Sequence, residues 1–156
     1  MNRRSLWMGL FAGWLLLAGT MGAAPSPEGK QKDSPKAKIV IVAGPCQHPP
    51  GTHEAAAGGR LLAHCVGRAE NIGPVDAQFL DGWPKDERVL SDAATIVFIG
   101  DIFPPERMDQ PEKIKAQLAK LMDRGCGIVC VHYATGLRRD HVSEDGDHPV
   151  LKWLGG

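Results

Sequence analysis

Strands alternating with helices of ordinary length predict an α/β fold, a doubly wound parallel sheet with right-handed crossovers. Two observations carry that prediction. Ile39-Val40-Ile41-Val42-Ala43, Thr95-Ile96-Val97-Phe98-Ile99-Gly100 and Ile128-Val129-Cys130-Val131 are short apolar runs rich in β-branched residues, the pattern of strands covered on both faces. Between them, apolar residues recur at helical spacing.

The chain of 156 residues opens with Arg3 and Arg4, an apolar stretch from Leu6 to Leu17, and the small residues Gly22-Ala23-Ala24. That order is the plan of a secretory signal, here residues 1–24 with cleavage after Ala24, so the protein is expected in the periplasm or outside the cell. Left uncleaved, the same stretch comes close to the roughly 18 apolar residues of a membrane anchor, the one route by which this chain would meet a membrane. Residues 25–36 hold three prolines, several lysines and almost no large apolar side chain, as suits a flexible linker. A single folded domain is expected over 37–156, long enough for one core and too short for two. Basic and acidic residues balance at 18 each and are interspersed, and no basic run is interleaved with aromatics, which argues against a nucleic-acid partner. Loss of the two arginines with the signal leaves the exported chain slightly acidic.

Within the domain, the first strand covers Ile39 to Ala43. Thr52 is expected to cap a helix whose apolar residues Leu61, Leu62, Cys65, Val66 and Ala69 recur at helical spacing, weakened midway by Gly58 and Gly59. Val75, Ala77 and Phe79 alternate with Asp76 and Gln78, which predicts a half-exposed edge strand. After the strand that begins at Thr95, Asp109 and Pro111 mark a second helix start. Ile114, Leu118, Leu121 and Met122 make its buried stripe and Gly125 ends it. The Ile128–Val131 strand is expected in the sheet interior, a neighbour or near-neighbour of the first. His141, Asp145, Asp147 and His148 read as a polar loop. The chain then reaches Leu154-Gly155-Gly156 without the further strands such a sheet normally has, and so looks truncated.

An exported chain meets an oxidising compartment, which raises the question of disulfides for Cys46, Cys65, Cys126 and Cys130. Residues four apart on a strand are about 13 Å apart, whereas a disulfide needs Cα atoms within roughly 7 Å. Cys126 and Cys130 are therefore expected as small buried hydrophobes, and the pair Cys46 and Cys65 stays open.

Chemistry-bearing residues collect where strands end. The loop Gly44-Pro45-Cys46-Gln47-His48-Pro49-Pro50-Gly51-Thr52-His53-Glu54 follows the first strand, Asp101 follows the third, and His132-Tyr133 end the fourth. Carboxyl ends of parallel strands are where open α/β sheets bind ligands, so these groups are expected in one crevice.

The same residues carry a resemblance. Gly44-Pro45 with His48 and Gly51-Thr52-His53-Glu54, then Asp81-Gly82-Trp83-Pro84-Lys85-Asp86, Cys130-Val131-His132-Tyr133-Ala134 and Trp153-Leu154-Gly155-Gly156, resemble the ThuA-like (trehalose-utilisation) domain in its exported planctomycete-type form. The likeness runs from about Lys38 onward and would make this chain the amino-terminal half of such a domain. It implies a flavodoxin-like sheet of the class I glutamine amidotransferase-like superfamily, and an association with sugar utilisation, including oxidised disaccharides. Two stretches depart from the family pattern: Asp101-Ile102-Phe103-Pro104-Pro105 replaces a glycine-rich continuation, and Thr135-Gly136-Leu137-Arg138-Arg139-Asp140 replaces Val-Glu-Val-Pro. Glutaminase chemistry is not expected, because His132 stands where those amidotransferases carry their nucleophilic cysteine and Cys130 lies about 6.6 Å further back along the strand.

Three readings of the site follow. In the first, His132 acts with His48, His53 or Glu54 as acid and base on a small carbohydrate held by Tyr133, Asp101 and Trp83, with no cofactor. In the second, His48, His53, Glu54 and His132 hold a divalent metal for a hydrolase, although His53 and Glu54 are adjacent and cannot easily reach one ion together. In the third, the domain binds a sugar or docks a partner without chemistry.

Overall fold

The computed structural model describes residues 36–155; the proposed signal and nearly all of the linker lie outside the described residues. Four strands, β1 (Ala37–Ala43), β2 (Val75–Asp81), β3 (Ala93–Ile99) and β4 (Gly127–Val131), form one sheet in the order β2-β1-β3-β4 with every pair parallel. Helix α1 (Ala55–Gly67) joins β1 to β2 and helix α2 (Pro111–Asp123) joins β3 to β4, with a short α3 (Pro149–Trp153) beyond. The chain is thus an α/β protein with a parallel sheet, and its order is consistent with the opening strands of a flavodoxin-like fold.

The two helices cover opposite faces. Val40, Val42, Ile96 and Phe98 point to one face and are fully buried in a cluster with Ile114, Leu118 and Leu121 of α2. Ile41, of opposite parity, meets α1 on the other face at Gly59. There burial does not follow the apolar spacing: the helix's buried residues are Ala55 and Gly59, while Leu61 is 64% exposed and Cys65 is exposed. A Cβ at Gly59 would stand 2.6 Å from the Phe79 ring, so the glycine that lowers helix propensity is what lets α1 lie close on β2. Thr52 is not the cap either. Its hydroxyl donates to the Pro49 carbonyl at 2.6 Å, and α1 begins after Glu54.

Strand β2 lies at an edge, as its alternation predicts. Strand β4 does not lie in the interior: it forms the other edge among the described residues, two places from β1, and Val129 is 44% exposed. Its apolar run reflects half-burial on the α2 side, where Ile128 and Cys130 pack on the core, rather than cover on both faces. Helix α2 starts at Pro111 behind Gln110, which holds a left-handed φ of 59°, and ends before Gly125 at φ 90°. All four cysteines are free thiols. His148, which the sequence places in a polar loop, is 2% exposed and packs edge-on against Phe103.

Candidate functional site

Three loops at the carboxyl edge of the sheet build the site. The loop after β1 leaves close under the loop after β3: a Cβ on Gly44 would lie 2.4 Å from Pro104, and the Gly44 N–H donates to the Ile99 carbonyl at 2.8 Å. Further on, the loop turns at Gly51 (φ 82°), whose N–H donates to Glu54 Oε1 at 2.6 Å. Glu54 therefore spends a carboxylate oxygen on its own turn, which sets His53 at the mouth of α1. Opposite, the Phe103 N–H donates to Gly136 at 2.8 Å and Ala134 is fully buried, so the turn after β4 is pinned to the β3 loop. His132 and Tyr133 project from it into solvent.

Asp101 is the hub. Its side chain is 8% exposed; Oδ2 accepts the Gln47 N–H at 2.5 Å and lies 3.5 Å from Arg107 Nη1. Oδ1 faces Cys46 Sγ at 3.0 Å, His53 Nδ1 at 3.1 Å and His48 Nε2 at 3.5 Å. Burial pushes the carboxyl up, but the Gln47 N–H, the Cys46 and His53 hydrogen bonds and the charge of His48 outweigh it and hold the group down at about 2. An ionised carboxylate only accepts, so His53 Nδ1 carries the hydrogen and Nε2 is left as the acceptor. The Cys46 thiol is pushed up, first by burial and then by its bond to Asp101, and stays protonated.

Four rings gather over this hub. His53 lies 5.2 Å from His48, 5.5 Å from His132 and 5.7 Å from Tyr133, centroid to centroid. Tyr133 touches the His132 ring at 3.9 Å and stacks with His48 at 5.9 Å and 22°. His132 holds φ 54°, a left-handed conformation that a non-glycine residue adopts at a cost of about 1 kcal/mol or more and that clusters at functional sites. A recess of about 390 Å³ opens beside the cluster, lined by Cys46, His48, His53, Glu54 and Asp81.

The structure thus gathers His48, His53, His132, Tyr133 and Asp101 from three loops. Trp83 stands apart: its ring stacks on Phe98, its Nε1 donates to Gln117 at 2.7 Å, and it lines a separate groove of about 550 Å³ with Lys85, Arg107 and Lys113. Two hub residues escape sequence reasoning, Cys46, read only as a disulfide candidate, and Arg107, whose partner is six residues away around a turn. Among the described residues, Cys46 Sγ, His53 Nδ1 and Asp101 Oδ1 all lie within 4.8 Å of one another, near enough to share an ion. No family model, curated protein or solved structure matches this chain. Fold and geometry alone define it as a parallel α/β protein with an ionisable cluster at the carboxyl edge of its sheet.

Proposed function

We propose that this chain is an exported ThuA-like domain without glutaminase activity that takes a small carbohydrate, of the oxidised disaccharide class, at the carboxyl edge of its sheet. His53 and His132 serve as base and acid. The observation that carries the reading is the convergence of imidazoles on Asp101. The carboxylate fixes His53 with Nε2 free to accept a proton, the orientation that a general base needs. His132, 5.5 Å away and solvated, is placed to protonate a departing sugar oxygen in a hydrolase or lyase step. The cysteines support the exclusion of glutaminase chemistry: burial pushes the Cys130 thiol up to about 11, and Cys46 is pushed up as well, so neither offers a thiolate near neutral pH.

The test titrates the full chain with disaccharides and their keto forms, following heat and products. Binding and turnover are expected, lost in His132→Ala and His53→Ala while the melting temperature moves little. If His132→Ala unfolds the domain and His132→Asn restores both stability and activity, His132 is a structural hydrogen-bonder and the acid–base reading falls. A second reading, binding without chemistry, is favoured by Tyr133, 51% exposed and stacked with His48 as a face for a sugar ring. Binding without product in the unaltered chain would decide for it.

A further inference from the structure

We propose that Cys46, His53 and Asp101 form a binding site for a divalent metal of the zinc class. The inference does not rest on the sugar reading. Three unlike donors meet: Cys46 Sγ is 3.0 Å from Asp101 Oδ1 and 3.6 Å from His53 Nδ1, and those last two atoms are 3.1 Å apart. Around a tetrahedral zinc ion, with bonds of about 2.3 Å to sulfur and about 2.0–2.2 Å to nitrogen and oxygen, such donors stand roughly 3.3–3.6 Å apart. The side chains therefore need to move by only a few tenths of an ångström to close on an ion.

The sulfur supplies a second argument. Cys46 Sγ lies 3.0 Å from Asp101 Oδ1 and 2.9 Å from the His53 carbonyl oxygen, and a thiol has one hydrogen for two acceptors. At least one sulfur–oxygen contact is thus not a full hydrogen bond; a cation seated between Sγ and Oδ1 would replace the one to Asp101, with Sγ drawing back from the His53 carbonyl. The donor set also selects the metal. Thiolate with imidazole and carboxylate suits zinc, cobalt or a similar ion, and not magnesium or calcium, which take oxygen donors. Arg107 and the Gln47 N–H on Asp101 Oδ2 hold the carboxylate from behind, the outer support that ligating groups commonly have. Three protein donors leave a fourth corner for water or a ligand, the pattern of reactive rather than purely structural zinc sites.

On loading, a sulfur–metal bond replaces the Cys46 S–H and its proton leaves to solvent. The metal takes His53 Nδ1, and that proton is replaced by one on Nε2. The same nitrogen cannot both ligate and donate to Asp101, so metal loading and the base orientation of His53 exclude each other.

The experiment uses the full chain carrying Cys65→Ser, which removes the exposed thiol, with zinc, cobalt and magnesium chlorides followed by equilibrium dialysis and elemental analysis. One zinc or cobalt per chain is expected, no magnesium, and a thiolate-to-cobalt charge-transfer band in the near ultraviolet. Cys46→Ala should abolish that band and weaken zinc by at least about tenfold, the lower end of what losing an outer-shell partner costs. Cys46→Ser, nearly isosteric, should also lose the band while keeping the fold by circular dichroism. Overturning results are no zinc retained by the parent chain, or, in Cys46→Ala, unchanged zinc affinity or a surviving charge-transfer band, either of which would put the ion on other groups.

Discussion

Two carboxylate–histidine pairs have their carboxylates five residues apart in sequence, at Asp101 and Glu106, and they behave oppositely. At the sheet edge, Asp101 meets His53 at 3.1 Å, and beneath α3, Glu106 meets His148 at 2.8 Å. The second pair is closed. His148 Nδ1 accepts the Val150 N–H at 3.2 Å, so the hydrogen sits on Nε2 and goes to Glu106, while Lys115 Nζ neutralises the same carboxylate at 2.8 Å. Every polar atom of that imidazole is spoken for, and His148 is 2% exposed against 19% for the His53 side chain. At the edge, valence is left over: the His53 ring lies among other rings, 5.5 Å from His132, the Cys46 hydrogen has two acceptors, and His132 and Tyr133 stand in solvent. A charged pair is structural when its partners exhaust it, and it can do chemistry when they do not.

The largest effect that would break this contrast is expected from Lys115→Met. It leaves the Glu106 carboxylate, 7% exposed, without its cation, and should cost about 3 kcal/mol, the low end of what unpairing a buried charge costs. Urea unfolding measures it, and a loss below about 1 kcal/mol, the range of a surface pair, would mean that the cluster beneath α3 is not closed.

Acid titration sharpens the same point. Burial pushes the Glu106 carboxyl up, but its bonds to Lys115 and His148 outweigh this and hold it below its ordinary 4.5. The folded value is depressed, so the stabilisation is fully present above about 4.5 and is lost as pH falls through the lower folded value. Melting temperature against pH should therefore fall below that point in the unaltered chain and fall less steeply in Glu106→Gln. Identical slopes would assign the acid sensitivity elsewhere.

The smallest shift is expected at the open cluster and has the opposite sign. His132→Gly relieves a left-handed φ of 54° and should raise stability by up to about 1 kcal/mol, where His132→Ala, which keeps the strain, should not. Sugar binding or turnover should fall in both. Destabilisation by His132→Gly would show that the ring holds the turn.

Much of the scaffold is local and was readable as such. The apolar runs of β1 and β3, the alternation of β2, and Pro111 with Ile114, Leu118 and Leu121 in α2 express periodicities of 2 and 3.6 that any short window contains. The placement of His48, His53, Asp101 and His132 at strand ends followed from the same runs. Other features depended on distant partners. Gly59 is a packing surface only because Phe79 lies across from it, and β4 is an edge strand among the described residues although its sequence reads as an interior one. Cys46 reaches Asp101 across 55 residues and His148 reaches Glu106 across 42. Sequence by itself determined the elements and the edge at which reactive groups emerge, because backbone propensity and side-chain alternation act over a few residues. Tertiary structure alone decided which ionisable groups are saturated and which are left with unused valence, because burial and hydrogen-bond partners are assigned only when separate segments of the chain are brought together.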